Sequence, residues 1–273
     1  QASATDLWLC GDDRKIVMWP INEVGFQMIA DAMDLVAEAG LKVIFLAGHG
    51  KVDLPGVQDA YTHYLTALAT RFADNPTIFA YDLTNEPIYE FAEKGPSKQD
   101  VNTLFGKWYA AVRAGTTRQM VTAGLAEIGT VQTFDPGVMP LDFVSWHIYS
   151  GWTWDSYARN HLSSVFTWIR NEPYPSMVGE TGISVEDDGA TEADQAAFAR
   201  HVLNYARACR SMGLQWWLYR DVHWGPPGEH FGLVRWDGTE RPAADAFRVF
   251  DPYAAGTVAC APPPYTGSSP QED

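Results

Sequence analysis

A chain of 273 residues with 46% hydrophobic content has the composition of a folded globular protein, which excludes disordered and collagen-like classes. Its formal net charge of −15 repels phosphate backbones and anionic lipid surfaces, so nucleic acid and membrane are not expected partners, and neutral or cationic ones are. No apolar run reaches the roughly 18 residues of a membrane span, and no basic-then-apolar segment opens the sequence, so the chain reads as mature or trimmed.

Two short runs with strand character come first, Asp6 to Cys10 and Lys15 to Trp19. Phe26, Ile29, Ala30, Met33, Val36 and Ala37 then recur at helical spacing, Gly40 ends that helix, and Leu41 to Leu46 follows as a continuous apolar strand. Tyr61, Tyr64, Leu65, Leu68 and Phe72 mark one face of a second helix, and the strand Ile78 to Leu83 follows it. The alternation continues with a helix near 98–114 and strands near 119–124 and Phe143 to Ile148. A helix near 155–171, a strand Ser176 to Gly179, a helix over 192–212 stopped by Gly213 and a strand Leu214 to Tyr219 complete it.

Strands that are apolar on both faces and alternate with amphipathic helices imply a parallel sheet covered by helices. Six such units plus the two runs at the front predict an α/β fold, a (β/α)8 TIM barrel, which typically needs about 250 residues. Only about four residues separate the two front runs, too few for a crossover between parallel strands, so the barrel is expected to be incomplete or rearranged at strands 1 and 2. Residues 1–255 are read as a single catalytic domain of this type, and 256–273, rich in Pro and Ser, as a draped tail.

Three cysteines allow at most one disulfide. Cys209 lies in a helical stretch and reads as a buried thiol, whereas Cys10 and Cys260 could bridge the two ends of the chain in an oxidising compartment. His63, His161 and His201 fall in helices away from strand ends and read as solvated.

In barrels of this kind chemistry sits where strands end. The residues found there are polar: His49 after "VIFLAG", Asn85 and Glu86 after "FAYDLT", His147 and Tyr149 in "FVSWHIY", Glu180 after "PSMVG", and Trp217, Tyr219, Arg220 and Asp221 in "LQWWLYRD". Asp82 alternates with this set and reads as structural. Two glutamates at the ends of separate strands suit glycoside hydrolysis, in which one carboxyl protonates the leaving oxygen and the other attacks; in retaining enzymes the two lie about 5 to 5.5 Å apart. Aromatic residues make up 13% of the chain, including 11 Trp. Trp152 and Trp154, just after the sixth strand, are candidate platforms for the apolar faces of sugars. His223 and His230, with Trp224 between them, sit in a loop that could roof the site or be plain surface. Neither a zinc motif nor a Gly-X-Ser-X-Gly nucleophile elbow is present.

The segments "LTNEP" (83–87), "HIY" (147–149) and "GETG" (179–182), in that order, resemble the clan A retaining glycoside hydrolases, closest to the family 5 cellulase and mannanase group. The resemblance spans about residues 23–250. It implies Glu86 as acid/base, Glu180 as nucleophile, Asn85 bonding the sugar 2-hydroxyl, and His147 and Tyr149 lining the cleavage subsite, with Tyr149 close to the nucleophile. His49 matches that group's third-strand histidine. The sequence departs from the group in two places: Arg14 precedes its strand instead of lying within it, and Arg220 stands where a sugar-stacking Trp is usual, so that either the cleavage subsite is altered or Trp217 or Trp224 supplies the ring. The implied activity is cofactor-free cleavage of a β-linked glycan, β-glucan or β-mannan first, by a secreted enzyme. A non-catalytic carbohydrate-binding protein on a degenerate barrel is the alternative.

Overall fold

The computed structural model describes residues 6–8, 18–20, 22–48, 57–86, 98–126, 139–149, 155–185, 189–222 and 230–261. The chain divides into two compact units, residues 1–147 with 173–175, and residues 148–172 with 176–273.

The first unit begins with strands β1 (Asp6–Trp8) and β2 (Met18–Pro20), which pair antiparallel with each other. The two front runs thus form the rearranged front of the barrel that their short spacing leads one to expect. A short connection can close only an antiparallel pair, and that is the pairing adopted.

Helix α1 (Glu23–Glu38) starts at Asn22, whose side chain accepts the Gly25 amide at 3.1 Å, with Glu23 placed favourably at the positive end of the helix dipole. Beyond it Gly40 adopts φ 70°, the left-handed conformation that a glycine reaches without a Cβ penalty. Strand β3 (Val43–Leu46), helix α2 (Gln58–Arg71), strand β4 (Ile78–Asn85), helix α3 (Lys98–Gly115) and strands β5 (Met120–Ala126) and β6 (Val144–His147) follow. Strands β3, β4, β5 and β6 are hydrogen-bonded in chain order, all parallel.

Helix α2 buries Tyr61, Tyr64, Leu65 and Leu68, the face its spacing predicts, and Trp108 of α3 meets Tyr61 edge-on at 5.2 Å. Arg113 of α3 pairs with Asp142, whose Oδ2 also accepts the Val121 amide at 2.7 Å, tying helix to sheet.

The second unit holds helix α4 (Ser156–Asn171), strand β7 (Ser176–Thr181), helix α5 (Glu192–Ala208), strand β8 (Leu214–Trp216) and helix α6 (Pro242–Arg248). Strands β7 and β8 are parallel. Thr191 and Asp194 form a reciprocal capping box at the start of α5. Its apolar face, Ala196, Ala199 and Leu203, packs with Ala243 and Ala246 of α6, a helix the sequence reading did not anticipate. Small residues on both faces let these two helices approach closely.

Beside this core Arg241 grips Asp221, Nη1 to Oδ1 at 2.6 Å and Nη2 to Oδ2 at 2.8 Å, and Asp221 also accepts the Gly232 amide at 2.9 Å. Removing one partner of such a buried pair strands the other charge and costs about 3 to 5 kcal/mol.

Cys209, at the C-terminus of α5, is bonded to Cys260, which corrects both the buried-thiol reading and the Cys10 to Cys260 pairing. The reason is local: the segment after α6 folds back along α5, with the Arg207 guanidinium 5.2 Å from the Phe250 ring and donating to the Asp251 carbonyl at 3.0 Å. His201 is likewise not solvated. Its ring lies 4.7 Å from Tyr205, its Nε2 is 3.2 Å from Ser163 Oγ, and burial lowers its pKa to about 4.

Six parallel strands alternating with helices thus bear out the α/β barrel-type fold, with the departure at the front where it was anticipated. Among the described residues no helix is long and apolar enough to cross a membrane.

Candidate active site

The end of β4 is shaped by a change of register. Asp82 faces Thr122 of β5 and Asn85 faces Gly124, so three steps along β4 match two along β5. The extra residue is a β-bulge, a device that turns side chains at the rims of sheets. The ladder it interrupts is mended by a side chain: Asp82 Oδ1 accepts the backbone amides of Gly124 at 3.0 Å and Thr84 at 3.2 Å.

The strand end is braced on its other side. The Asn85 amide donates to the Gly48 carbonyl at 3.1 Å, and the buried Tyr61 hydroxyl donates to the Leu83 carbonyl. Gly48 has to be small here, because a β-carbon would lie 2.4 Å from that hydroxyl.

Glu86 comes next, with φ 44°. Left-handed backbone is uncommon for a residue with a side chain and clusters where function holds it in place. Its amide donates to the Gly124 carbonyl at 2.8 Å, and its Oε1 lies 2.9 Å from Nδ1 of His147, the last residue of β6. The imidazole is 5% exposed and the carboxylate 25%, so the pair has a buried end and an accessible one. The ring has room because residue 124 is glycine: a β-carbon there would sit 2.5 Å from His147 Nε2.

In the second unit Glu180 lies in a similar local setting. Val178 faces Leu214 and Thr181 faces Trp216, so β7 also carries an extra residue against its neighbour, in the stretch that contains Glu180. The Glu180 carbonyl accepts the Ile148 amide at 2.8 Å, and its Oε1 accepts the hydroxyl of Tyr149. Phe231 packs edge-on against Tyr149 at 6.0 Å. Trp217 is fixed through its amide, which donates to the Thr181 carbonyl at 2.8 Å, and Gly182 allows the Trp217 carbonyl to come close.

Each carboxylate therefore has a different partner. A half-buried glutamate beside an imidazole can take up and release a proton along that bond, whereas a glutamate receiving a phenol O–H is held oriented as an acceptor.

In the first unit Asn85 and Glu86 stand at the end of β4 and His147 at the end of β6, with β5 between them; Glu180, Tyr149 and Trp217 gather in the second. Arg220 is engaged elsewhere, donating to the Trp236 carbonyl with its guanidinium 5.5 Å from that indole ring. His49, Trp152, Trp154, Trp224, Cys10, Arg14 and His223 lie outside the described residues. Asp82 and Phe231 are participants that the sequence reading did not place near the chemistry. For Asp82 a signal was present, since an acid inside a buried strand, four residues before a strand-end glutamate, requires donors.

Fold and strand ends together define an α/β barrel-type protein with acidic residues at the C-terminal ends of its parallel strands. The chain belongs to glycosyl hydrolase family 5: residues 16–221 match the family's cellulase model. Among curated proteins it is similar to mannan endo-1,4-beta-mannosidases 7 and 8 of Oryza sativa subsp. japonica, each 26% identical over 49% of this chain. The chain spans 44% and 45% of the length of those two relatives.

Among solved structures, a variant of GH5_18 from Streptomyces cattleya in complex with Manb1-4GlcNAc has a TM-score of 0.69 at 18% identity, covering 84% of this chain and 67% of that one. A beta-glucuronidase from Bifidobacterium dentium complexed with coumarin-3-O-glucuronide gives 0.64 at 18% identity, over 80% of this chain and 38% of its own. At these identities the likeness is one of fold.

Proposed function

We propose that the chain is a retaining glycoside hydrolase that cleaves β-linked glycans by double displacement, with Glu86 as acid/base and Glu180 as nucleophile. The observation that carries this reading is the pair of unlike carboxylate settings, Glu86 against the His147 imidazole and Glu180 under the Tyr149 hydroxyl. In the first step Glu86 gives its proton to the glycosidic oxygen while a Glu180 oxygen attacks the anomeric carbon, forming a glycosyl ester. Glu86 then takes a proton from water, which attacks the same carbon and releases Glu180. Asn85 holds the sugar 2-hydroxyl, and Trp217 and the aromatic residues after β6, Trp152 and Trp154, supply stacking surfaces.

Mannan with β-1,4 linkages is the first substrate to try, because the curated relatives are named for it; β-glucan is the second. The Cys209–Cys260 disulfide supports an extracellular setting, since such bonds persist in oxidising compartments.

One observation favours a second reading, a carbohydrate-binding protein without turnover. Arg220, where the family's stacking Trp is usual, is turned to Trp236.

The two readings separate when wild type and Glu180→Gln are assayed side by side on β-mannan, β-glucan, xylan and aryl β-glycosides, with reducing ends, released aglycone and product anomer followed. Hydrolysis with retention that disappears in the variant is the expected result. Glycan binding without turnover in either protein would establish the second reading.

A further inference from the structure

Asp82 is 7% exposed and His147 is 4% exposed, and both border a residue with no side chain. A β-carbon built on Gly124 would lie 2.5 Å from His147 Nε2, 2.8 Å from its Cε1 and 3.1 Å from Asp82 Oδ2. The imidazole edge and the carboxylate oxygen thus share one small space above strand β5. The other oxygen of Asp82 is already committed, since Oδ1 receives the Thr84 and Gly124 amides at the bulge. The other ring nitrogen of His147 is committed too, at 2.9 Å from Glu86 Oε1.

From this arrangement we infer that Asp82 is a positioning residue that fixes the protonation of His147, keeping a proton on Nε2 so that Nδ1 alone exchanges a proton with Glu86. An ionised carboxylate can only accept, so a nitrogen facing it has to donate, and the hydrogen bond at one imidazole nitrogen sets the state of the other. With Nε2–H turned to Asp82, Nδ1 accepts from the carboxyl O–H when Glu86 holds the proton. When that proton sits on His147 instead, Glu86 is ionised and Nδ1–H of the imidazolium donates to it. The proton moves within one hydrogen bond, and no other group is needed to balance it.

Two features make the assignment sharp. The ring cannot rotate away, because it is almost fully buried, and Gly124 leaves it one place to lie. The Asp82 carboxylate cannot turn over either, because two backbone N–H groups hold Oδ1. In Asp82→Asn the same two amides require the carbonyl oxygen at the Oδ1 position. The amide NH2 then takes the place of Oδ2 and donates to Nε2. The variant must therefore move the proton of a neutral His147 from Nε2 to Nδ1, a change of tautomer at nearly constant shape.

The consequence for turnover rests on the proposed role of Glu86, but the test does not. Long-range 15N–1H correlation spectra of the full chain, with histidines labelled and His147 assigned through His147→Gln, read each ring nitrogen directly. In wild type, Nε2 is expected to show the shift of a protonated, pyrrole-type nitrogen. In Asp82→Asn it is expected to become pyridine-type, with the proton on Nδ1. An unprotonated Nε2 in wild type overturns the inference, as does an Asp82→Asn spectrum in which the His147 nitrogens are unchanged. If the variant does not fold, the wild-type spectrum alone decides. A chain inactive on every glycan would give the same spectra, so failure of the hydrolase reading and failure of this one are distinguishable.

Discussion

Tyr149 donates its phenol hydroxyl to Oε1 of Glu180, two residues after His147 ends the neighbouring strand in sequence. A hydrogen bond to an ionised carboxylate contributes about 1.5 to 3 kcal/mol. If Glu180 is the nucleophile, it loses its negative charge when the glycosyl ester forms and regains it when water releases the sugar, so the donor assists release more than attack. Tyr149→Phe is therefore expected to lower kcat by about 10- to 100-fold, with the glycosyl-enzyme accumulating. Rapid-mixing kinetics with an activated aryl β-glycoside would show a burst of aglycone followed by a slow steady state. An unchanged kcat would separate the Tyr149 bond from the chemistry.

The alternation of apolar strands with amphipathic helices was legible in the sequence because burial on both faces and helical periodicity are local patterns. The placement of Glu86 and Glu180 at strand ends followed from it. The bulges beside both residues were not legible, since a register shift belongs to two strands at once and leaves no mark in either alone. Asp82 reads as structural because it alternates with the polar strand-end set, a pattern that does not show the bulge. Its Oδ1 does have a structural task, completing the β4 bulge, but its Oδ2 and the His147 ring border the same space beside Gly124, a placement of residues 65 positions apart that the missing side chain at Gly124 permits. The front of the chain was half legible: the short spacing excluded parallel strands, and the antiparallel pairing of β1 and β2 is what the same spacing permits.

Cys209 and Cys260 close a loop of 51 residues, which on the chain-entropy account stabilises the fold by about 4 kcal/mol. Replacing both with Ala is expected to lower the urea midpoint and to release the segment after α6, exposing it to protease first. Thiol counting checks the pairing independently of stability. With three cysteines and this bond, the unreduced, unfolded chain has a single reactive thiol, on Cys10. A peptide linking Cys10 to Cys260 in a non-reducing digest would contradict it.

His201 gives the stability of the chain a pH dependence whose sign follows from its surroundings. Burial against Tyr205 and Ser163 disfavours the imidazolium, and the charge of Arg159 adds to this, so the folded pKa falls from the ordinary 6.5 to about 4. Above about pH 6.5 the side chain is neutral in both the folded and unfolded states and contributes no slope. Between about 6.5 and 4 the unfolded chain binds a proton that the folded chain refuses, so stability falls as pH falls through that window. Glu192, held below the usual carboxylate range chiefly by its hydrogen bond to Arg235, adds a loss that sets in as the pH falls through the ordinary value of 4.5, at the acid edge of this window, and that loss is common to wild type and the His201 variant. Urea midpoints taken between pH 7 and pH 4.5 should therefore drop more steeply for wild type than for His201→Gln, which can keep a hydrogen bond to Ser163 without titrating. Parallel slopes for the two proteins would show that His201 accepts its proton in place, and that its burial carries no penalty in the folded state.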